Sequence, residues 1–357
     1  MIFYFGIFIF LVMLRQNLIG RPRTRNQAYY FILLFLFLFS AFRLNVGCDW
    51  GGYLNQWNIQ ENSSIIIDLN RTEFFWWSSI SLLQYLNFPY PWLNVFAALI
   101  FFLGIHRIAI RQIDPLGFLI LLYPILIINM PMSGIRQGVA IGIMCLAFNA
   151  FTDKKIIWFI FLTILATQFH QSAIIFIFLL PLIYGKYSKR RIAFALILAL
   201  PGIYVILNES NAGQVVDRYL DTGIDAIGGV FRVGLLSLTG MAFIVLLRKK
   251  WERTFSQTYK ITTIFSLIML LLLFVIPFSS VIGDRLGYYL IPIQAMILAG
   301  IPFLQIQKYR VIYSVAPYLI IGLTFLTWTL ISWHFQKCYI PYNTWIFGFP
   351  ENNLFGL

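Results

Sequence analysis

The sequence is poor in charge, and poorest in acids. Only 11% of its 357 residues are Asp, Glu, Lys or Arg, and just 13 are acidic. Soluble domains carry about 25% charged residues, so a water-facing globular surface is excluded. Cysteine is equally scarce: Cys48, Cys145 and Cys338 provide neither a disulfide framework nor the paired spacing of a zinc site. There is no Walker loop, nucleophile elbow or dinucleotide fingerprint. Nucleotide-dependent chemistry therefore has no visible home. Internal repeats and low-complexity linkers are also missing, so residues 1–357 read as a single integral domain.

What is present is apolar. Hydrophobic residues make up 60% and aromatics 18%, with a mean hydropathy of +0.81, a composition that requires lipid as solvent. A helix needs about 20 apolar residues to cross the hydrocarbon core. Twelve candidate spans fall near 2–14, 28–42, 91–105, 115–131, 137–151, 156–168, 172–184, 192–207, 230–247, 261–277, 288–304 and 311–333. The first is no signal peptide, because Arg15, Arg21, Arg23 and Arg25 follow the apolar run instead of preceding it. The expected fold is an all-α polytopic membrane protein of about twelve spans.

The net charge of +13 would suggest nucleic acid in a soluble protein. Here it sorts by side. With the N-terminus outside, 19 of the 26 basic residues lie in cytoplasmic segments, alongside only Asp114, Asp153 and Glu252. That asymmetry is the positive-inside pattern, so the surplus orients the chain and no nucleic-acid partner is expected. Two outer segments are long, 43–90 and 208–229. In the first, Phe74-Phe75-Trp76-Trp77 runs on through Ile80, Leu83 and Leu86 at helical spacing, the pattern of an amphipathic helix in the outer interface. Cys48 and Cys338 both fall outside, where an oxidising compartment would let them pair, but nothing in the sequence brings them close and two free thiols is the favoured reading.

Seven basic residues sit where the rule disfavours them: Arg43, Arg71, Arg136, Arg218, Arg232, Arg285 and Lys337. Arginine stays charged and its planar fork binds phosphate bidentately. Arg136 follows Pro131 and Gly134 between two spans, where a broken helix frees backbone N–H groups beside a cation and so favours an anion. Arg285 and Arg232 stand at outer span boundaries, with Asp284 placed to neutralise Arg285. The substrate these residues point to is a phosphate or pyrophosphate presented from the outer leaflet. Two groups compete as general base: His170, in the tight outer turn between spans six and seven, and Asp49 in the first outer loop. Glu61 lies too far from Asp49 in sequence to complete a close carboxylate pair, so no metal and no other cofactor is expected.

Four motifs in order give this pattern a likeness. Asp49-x-x-x-Tyr53, Ser133-Gly134-Ile135-Arg136-Gln137, Phe169-His170-Gln171-Ser172-Ala173 and Asp284-Arg285-Leu286-x-Tyr288-Tyr289 together resemble the EpsG-like group of Wzy-type polysaccharide polymerases. The resemblance covers roughly residues 25–310. It implies a GT-C-like architecture in the bacterial inner membrane with its active site facing the periplasm. It also implies polymerisation of undecaprenyl-pyrophosphate-linked repeat units for O-antigen, capsule or exopolysaccharide, in a lipid environment shared with a chain-length regulator and a flippase. Mapped onto this chain, Arg136 and Arg285 would bind the pyrophosphate, with Arg232 in support and His170 or Asp49 as base. Gln137, Tyr288 and Asp284 would contact substrate, and Trp50 and Tyr53 would stack on sugars. Trp76 and Trp77 read as interface anchors.

Other functions fit parts of the pattern. An O-antigen ligase uses the same donor, and physics alone barely separates it from a polymerase. A secondary transporter of a polyanionic or lipid-linked substrate also suits twelve spans. Transporters, however, usually have related halves and charges near the midplane, and neither is visible here. A membrane O-acyltransferase would need His170 near a cytoplasmic thioester donor, whereas His170 is expected outside.

Overall fold

The computed structural model describes residues 1–61, 72–185, 188–211, 227–277, 279–304 and 310–349. Arg71, Arg218 and most of the 208–229 loop lie outside the described residues. Each of the twelve apolar runs is helical, but their lengths differ. Five helices are long and apolar enough to cross a membrane: Pro91–Ala109, Ile135–Thr152, Gly228–Thr254, Ser280–Phe303 and Ile312–Ile331. Five more are apolar but shorter: Ile2–Asn17, Pro115–Ile127, Ile156–Thr167, Gln171–Leu182 and Tyr259–Val275. The runs at 28–42 and 192–207 are the apolar parts of helices that begin in basic turns, Pro22–Ala41 and Lys189–Asn211. Helicity is thus the rule among the described residues, while five of the helices combine the length and the apolar character needed to cross.

The chain divides into two compact units. Unit 1 comprises Met1–Gly142, Gln168–His170 and Ala316–Leu357. Its helices are α1 (Ile2–Asn17), α2 (Pro22–Ala41), α3 (Trp50–Glu61), α4 (Phe74–Tyr85), α5 (Pro91–Ala109) and α6 (Pro115–Leu122). The first half of α7 (Ile135–Thr152) joins them, and a π turn at Tyr123–Ile127 extends α6. Proline opens α2, α5 and α6, where its missing N–H costs no helical bond and its φ is already helical. The Asp114 carboxylate caps α6 by accepting from the Gly117 N–H at 3.0 Å. It also accepts from Arg15 Nε at 2.7 Å and lies 3.4 Å from Arg25 Nε, all three side chains being buried. Removing such a buried carboxylate strands cations, at a cost of about 3–5 kcal/mol. All three groups belong to the basic side assigned from charge. Gly104 and Gly142 bring α5 and α7 into backbone contact. A Cβ on Gly104 would stand 1.9 Å from the Gly142 carbonyl oxygen, so only small residues permit this crossing.

At the other end of unit 1 the C-terminal segment is stitched onto the first outer loop. Leu44 N–H donates to the Asn343 carbonyl, Gly47 N–H to that of Cys338 and Trp345 N–H to that of Phe42. A disulfide joins Cys48 to Cys338, which corrects the expectation of two free thiols. Arg43, counted among the unexplained outer cations, is 1% exposed and donates to the carbonyls of Ser40 and Val46 and to Asn94 Oδ1. Burial pulls its guanidinium down to about 10, still charged at neutrality. Its role is to tie this corner together.

The anchoring role expected of Trp76 needs correction. α4 forms, but Trp76 is fully buried, and Ser79 and Ser81 face the protein while Phe75, Leu82, Tyr85 and Leu86 are exposed. The inward serines are satisfied by the Phe75 and Trp77 carbonyls, and Ser81 also accepts from Gln60. The side of α4 facing away from the protein is therefore the oily one, and Trp76 anchors protein packing, not a lipid interface.

Unit 2 comprises Ile143–Thr167 and Gln171–Val315. It contains the rest of α7, α8 (Ile156–Thr167), a 3₁₀ helix at Gln171–Leu182, α9 (Lys189–Asn211) and α10 (Ile227–Ala242). α10 runs through a π turn at Phe243–Leu247 into α11 (Arg248–Thr254), followed by α12 (Tyr259–Val275) and α13 (Ser280–Gly300). A 3₁₀ helix rises about 2.0 Å per residue against 1.5 Å in an α-helix, so Gln171–Leu182 reaches further than its length suggests. Aromatic rings fill the centre: Phe148 meets Phe265 at 4.8 Å and Phe176 meets Tyr289 at 5.1 Å. Polar bonds between helices add to this packing, with Gln294 Nε2 donating to Thr239 Oγ1 at 2.9 Å and Ser237 to the Met269 carbonyl.

Candidate functional site

In unit 1 the break between the α6 extension and α7 carries the chemistry. Asn129 and Gly134 close the turn, the Gly134 N–H donating to the Asn129 carbonyl at 2.9 Å. This frees Ser133 to face the first outer loop. Ser133 Oγ accepts from the Asp49 N–H at 3.3 Å and donates to Asp49 Oδ2 at 3.2 Å. Gly47 permits that approach: its φ is +104°, and a Cβ there would stand 1.7 Å from the Met132 carbonyl oxygen. Asp49 is exposed, and the Cβ positions of Gly51 and Gly52 next to it meet nothing within 4 Å.

Arg136 begins α7 directly behind this break. Its backbone N–H points at the Tyr53 hydroxyl, 3.5 Å away, and its guanidinium lies 5.9 Å above the Tyr53 ring. Nη1 is ion-paired with the Glu73 carboxylate. Nε is buried with no hydrogen-bond acceptor among the described residues. Burial pushes the Tyr53 phenol up, so it stays neutral beside the cation. Glu73 is itself largely buried and takes a left-handed backbone conformation, φ 59°, at the start of α4. Sequence reading passed over Glu73, since only its opening position on α4 sets it apart from the other outer acids.

The remaining expected residues of unit 1 are less open. Gln137 and His170 are 7% and 9% exposed. His170 is carried into this unit by the segment Gln168–His170, where the Gln168 carbonyl accepts from Trp76 N–H at 3.2 Å and Phe169 stacks on Phe75. Trp50 and Tyr53 were expected to offer rings to sugars, yet both are buried. Trp50 packs against Tyr90 at 5.0 Å and Tyr53 against Trp76 at 5.4 Å. The Tyr53 ring supports Arg136, while the Trp50 ring lies 5.7 Å from the Arg43 guanidinium.

Unit 2 holds the second arginine arrangement. Arg232 makes a bidentate pair with Asp284, Nε to Oδ1 at 2.7 Å and Nη2 to Oδ2 at 2.6 Å. Its guanidinium lies 5.0 Å over the Tyr288 ring. Asp284 therefore pairs with Arg232 on another helix, and not with its neighbour Arg285 as the sequence suggested. Tyr289, next in the motif, shares a hydrogen bond with Ser172 at 3.2 Å. Arg285 is half-buried. The two arginines share one design, in which a carboxylate balances the cation and a tyrosine face lies beneath it. Among the described residues, no group of three His, Cys, Asp or Glu side chains is placed to hold a metal ion.

Long apolar helices, one of them broken just before an arginine, give a helical membrane protein, and the family model that matches it is of polysaccharide-polymerase type. The model of the EpsG family matches residues 26–344, nearly the whole chain, and the chain belongs to this family. No curated protein and no solved structure matches it.

Proposed function

We propose that this protein is a Wzy-type polymerase that joins undecaprenyl-pyrophosphate-linked repeat units on the periplasmic face of the bacterial inner membrane. The fold in this proposal is GT-C-like with about twelve crossings. The observation that carries it is Arg136: a guanidinium neutralised by Glu73 on one edge and holding, on another, a buried donor without an acceptor among the described residues. A pyrophosphate oxygen meets that need, because it accepts from Nε and brings charge enough to compete with Glu73 for the cation.

The reaction is a single displacement. A hydroxyl of the acceptor repeat unit attacks the anomeric carbon of the donor glycan, the new C–O bond forms, and the anomeric C–O bond to pyrophosphate breaks. Undecaprenyl pyrophosphate leaves with the bonding electrons, and the configuration at carbon inverts. His170 or Asp49 takes the hydroxyl proton. Arg136 stabilises the departing charge, a task that otherwise falls to a metal ion. Arg285, with Arg232 in support, is a further cation for pyrophosphate, as the motif resemblance implies. The Cys48–Cys338 disulfide supports an oxidising compartment for the loop that bears Asp49.

Deleting the gene and separating surface polysaccharide on a gel tests the assignment. Core carrying a single repeat unit is the expected result. Bare core would instead make the protein a ligase, and an unchanged ladder would reject both enzymes in favour of a transporter or another role.

A further inference from the structure

We infer that a polar cavity in unit 2, on the side of the basic loops, binds a phosphate-bearing anion. The cavity measures about 520 Å³, within the range of small-ligand sites, and its polar lining is Thr152, Asp153, Lys154, Ser256, Gln257 and Lys260. Cations gather around the short segment at 183–185 that borders it. Lys260 Nζ donates to the Ile183 and Gly185 carbonyls at 3.1 and 3.0 Å. Arg191 donates to the Tyr184 carbonyl, and the Tyr184 hydroxyl donates to the Lys154 carbonyl at 2.7 Å. Lys154, Lys260 and Asp153 are the charged residues of the lining, and Arg191 adds a further cation close to Lys260.

Lys260 is also placed against the field of its own helix. It stands in the first turn of α12, which carries no acidic residue, and the positive end of a helix favours an anion there. A bound phosphate relieves both the helix end and the crowded cations, with Ser256 and Gln257 as further donors. The positive-inside rule accounts for basic loops, but it does not require them to enclose a cavity. Phosphate reaches such a site either as the headgroup of an anionic inner-leaflet lipid or as a soluble ion.

Native mass spectrometry of the delipidated full chain with phosphatidylglycerol or phosphatidylcholine tests the lipid source. Thermal melting against inorganic phosphate tests the soluble one. Saturable binding of phosphatidylglycerol at least tenfold tighter than phosphatidylcholine, or a saturable phosphate-dependent rise in melting temperature, is expected. The first outcome identifies a lipid headgroup and the second a free ion. The double variant Lys154→Gln/Lys260→Gln should weaken binding about tenfold or more, whereas Lys249→Gln/Lys250→Gln, which removes equal charge outside the lining, should not. No saturable binding of either probe by the wild type would overturn the inference, as would equal losses in the two variants. The wild-type titrations decide the matter if the first variant fails to fold.

Discussion

Arg136 and Glu73 form an ion pair that leaves the arginine's Nε buried and without an acceptor among the described residues. If that orphaned donor awaits pyrophosphate, Arg136→Ala should lower chain elongation by about 10²-fold or more, the usual loss for one donor to a transition-state charge. Protein levels should stay near normal. Arg136→Lys should not rescue, because an ammonium cannot reproduce the planar fork. Long polysaccharide in either variant, seen on a gel at matched expression, would remove Arg136 from the chemistry.

Arg232 and Asp284 are tied by two short hydrogen bonds, so their substitutions should not add. Arg232→Gln and Asp284→Asn are each expected to lower the melting temperature and shorten the polymer. The double variant should be little worse than either single one, giving a coupling of about 0.5–3 kcal/mol. Arg285→Ala, by contrast, should abolish elongation with less change in melting temperature, because Asp284 does not depend on Arg285. Additive melting shifts for the pair would mean that the hydrogen bonds contribute nothing in the membrane.

Helices and motifs were legible in the sequence because their signals are local. Apolar runs mark the helices, and Pro131 with Gly134 marks the break before Arg136. Partners were not legible, because packing selects them across long separations. Arg136 finds Glu73 63 residues away, Arg232 finds Asp284 52 away, and Cys48 finds Cys338 290 away. Proximity in sequence misled at Asp284, whose adjacent arginine is not its partner. Aromatic character misled at Trp50, Tyr53 and Trp76, since rings that suit sugars or headgroups suit a core equally well.

The Cys48–Cys338 bond fastens the C-terminal segment to the loop that presents Asp49, and it closes most of the chain into a loop. Cys48→Ser should cost about 2–5 kcal/mol of stability, read as a lower melting temperature. Cys338→Ser and the double variant should match it. A thiol-reactive polymer tag should shift the wild type on a gel only after reduction, apart from any reaction at buried Cys145. Ready labelling of unreduced protein isolated under native conditions would show that the bond does not form in the cell.

The choice between His170 and Asp49 is a question of reach. A general base must come within hydrogen-bond distance of the hydroxyl it deprotonates, and its removal should lower elongation about 10²-fold or more, whereas removal of the other group should leave most of it in place. His170 is buried and Asp49 is exposed beside Gly51 and Gly52, the open first turn of α3. Asp49 is therefore the group an incoming sugar hydroxyl reaches without rearrangement. Asp49→Asn should depress elongation in membrane vesicles more than His170→Ala at matched protein levels, and the reverse order would make His170 the base.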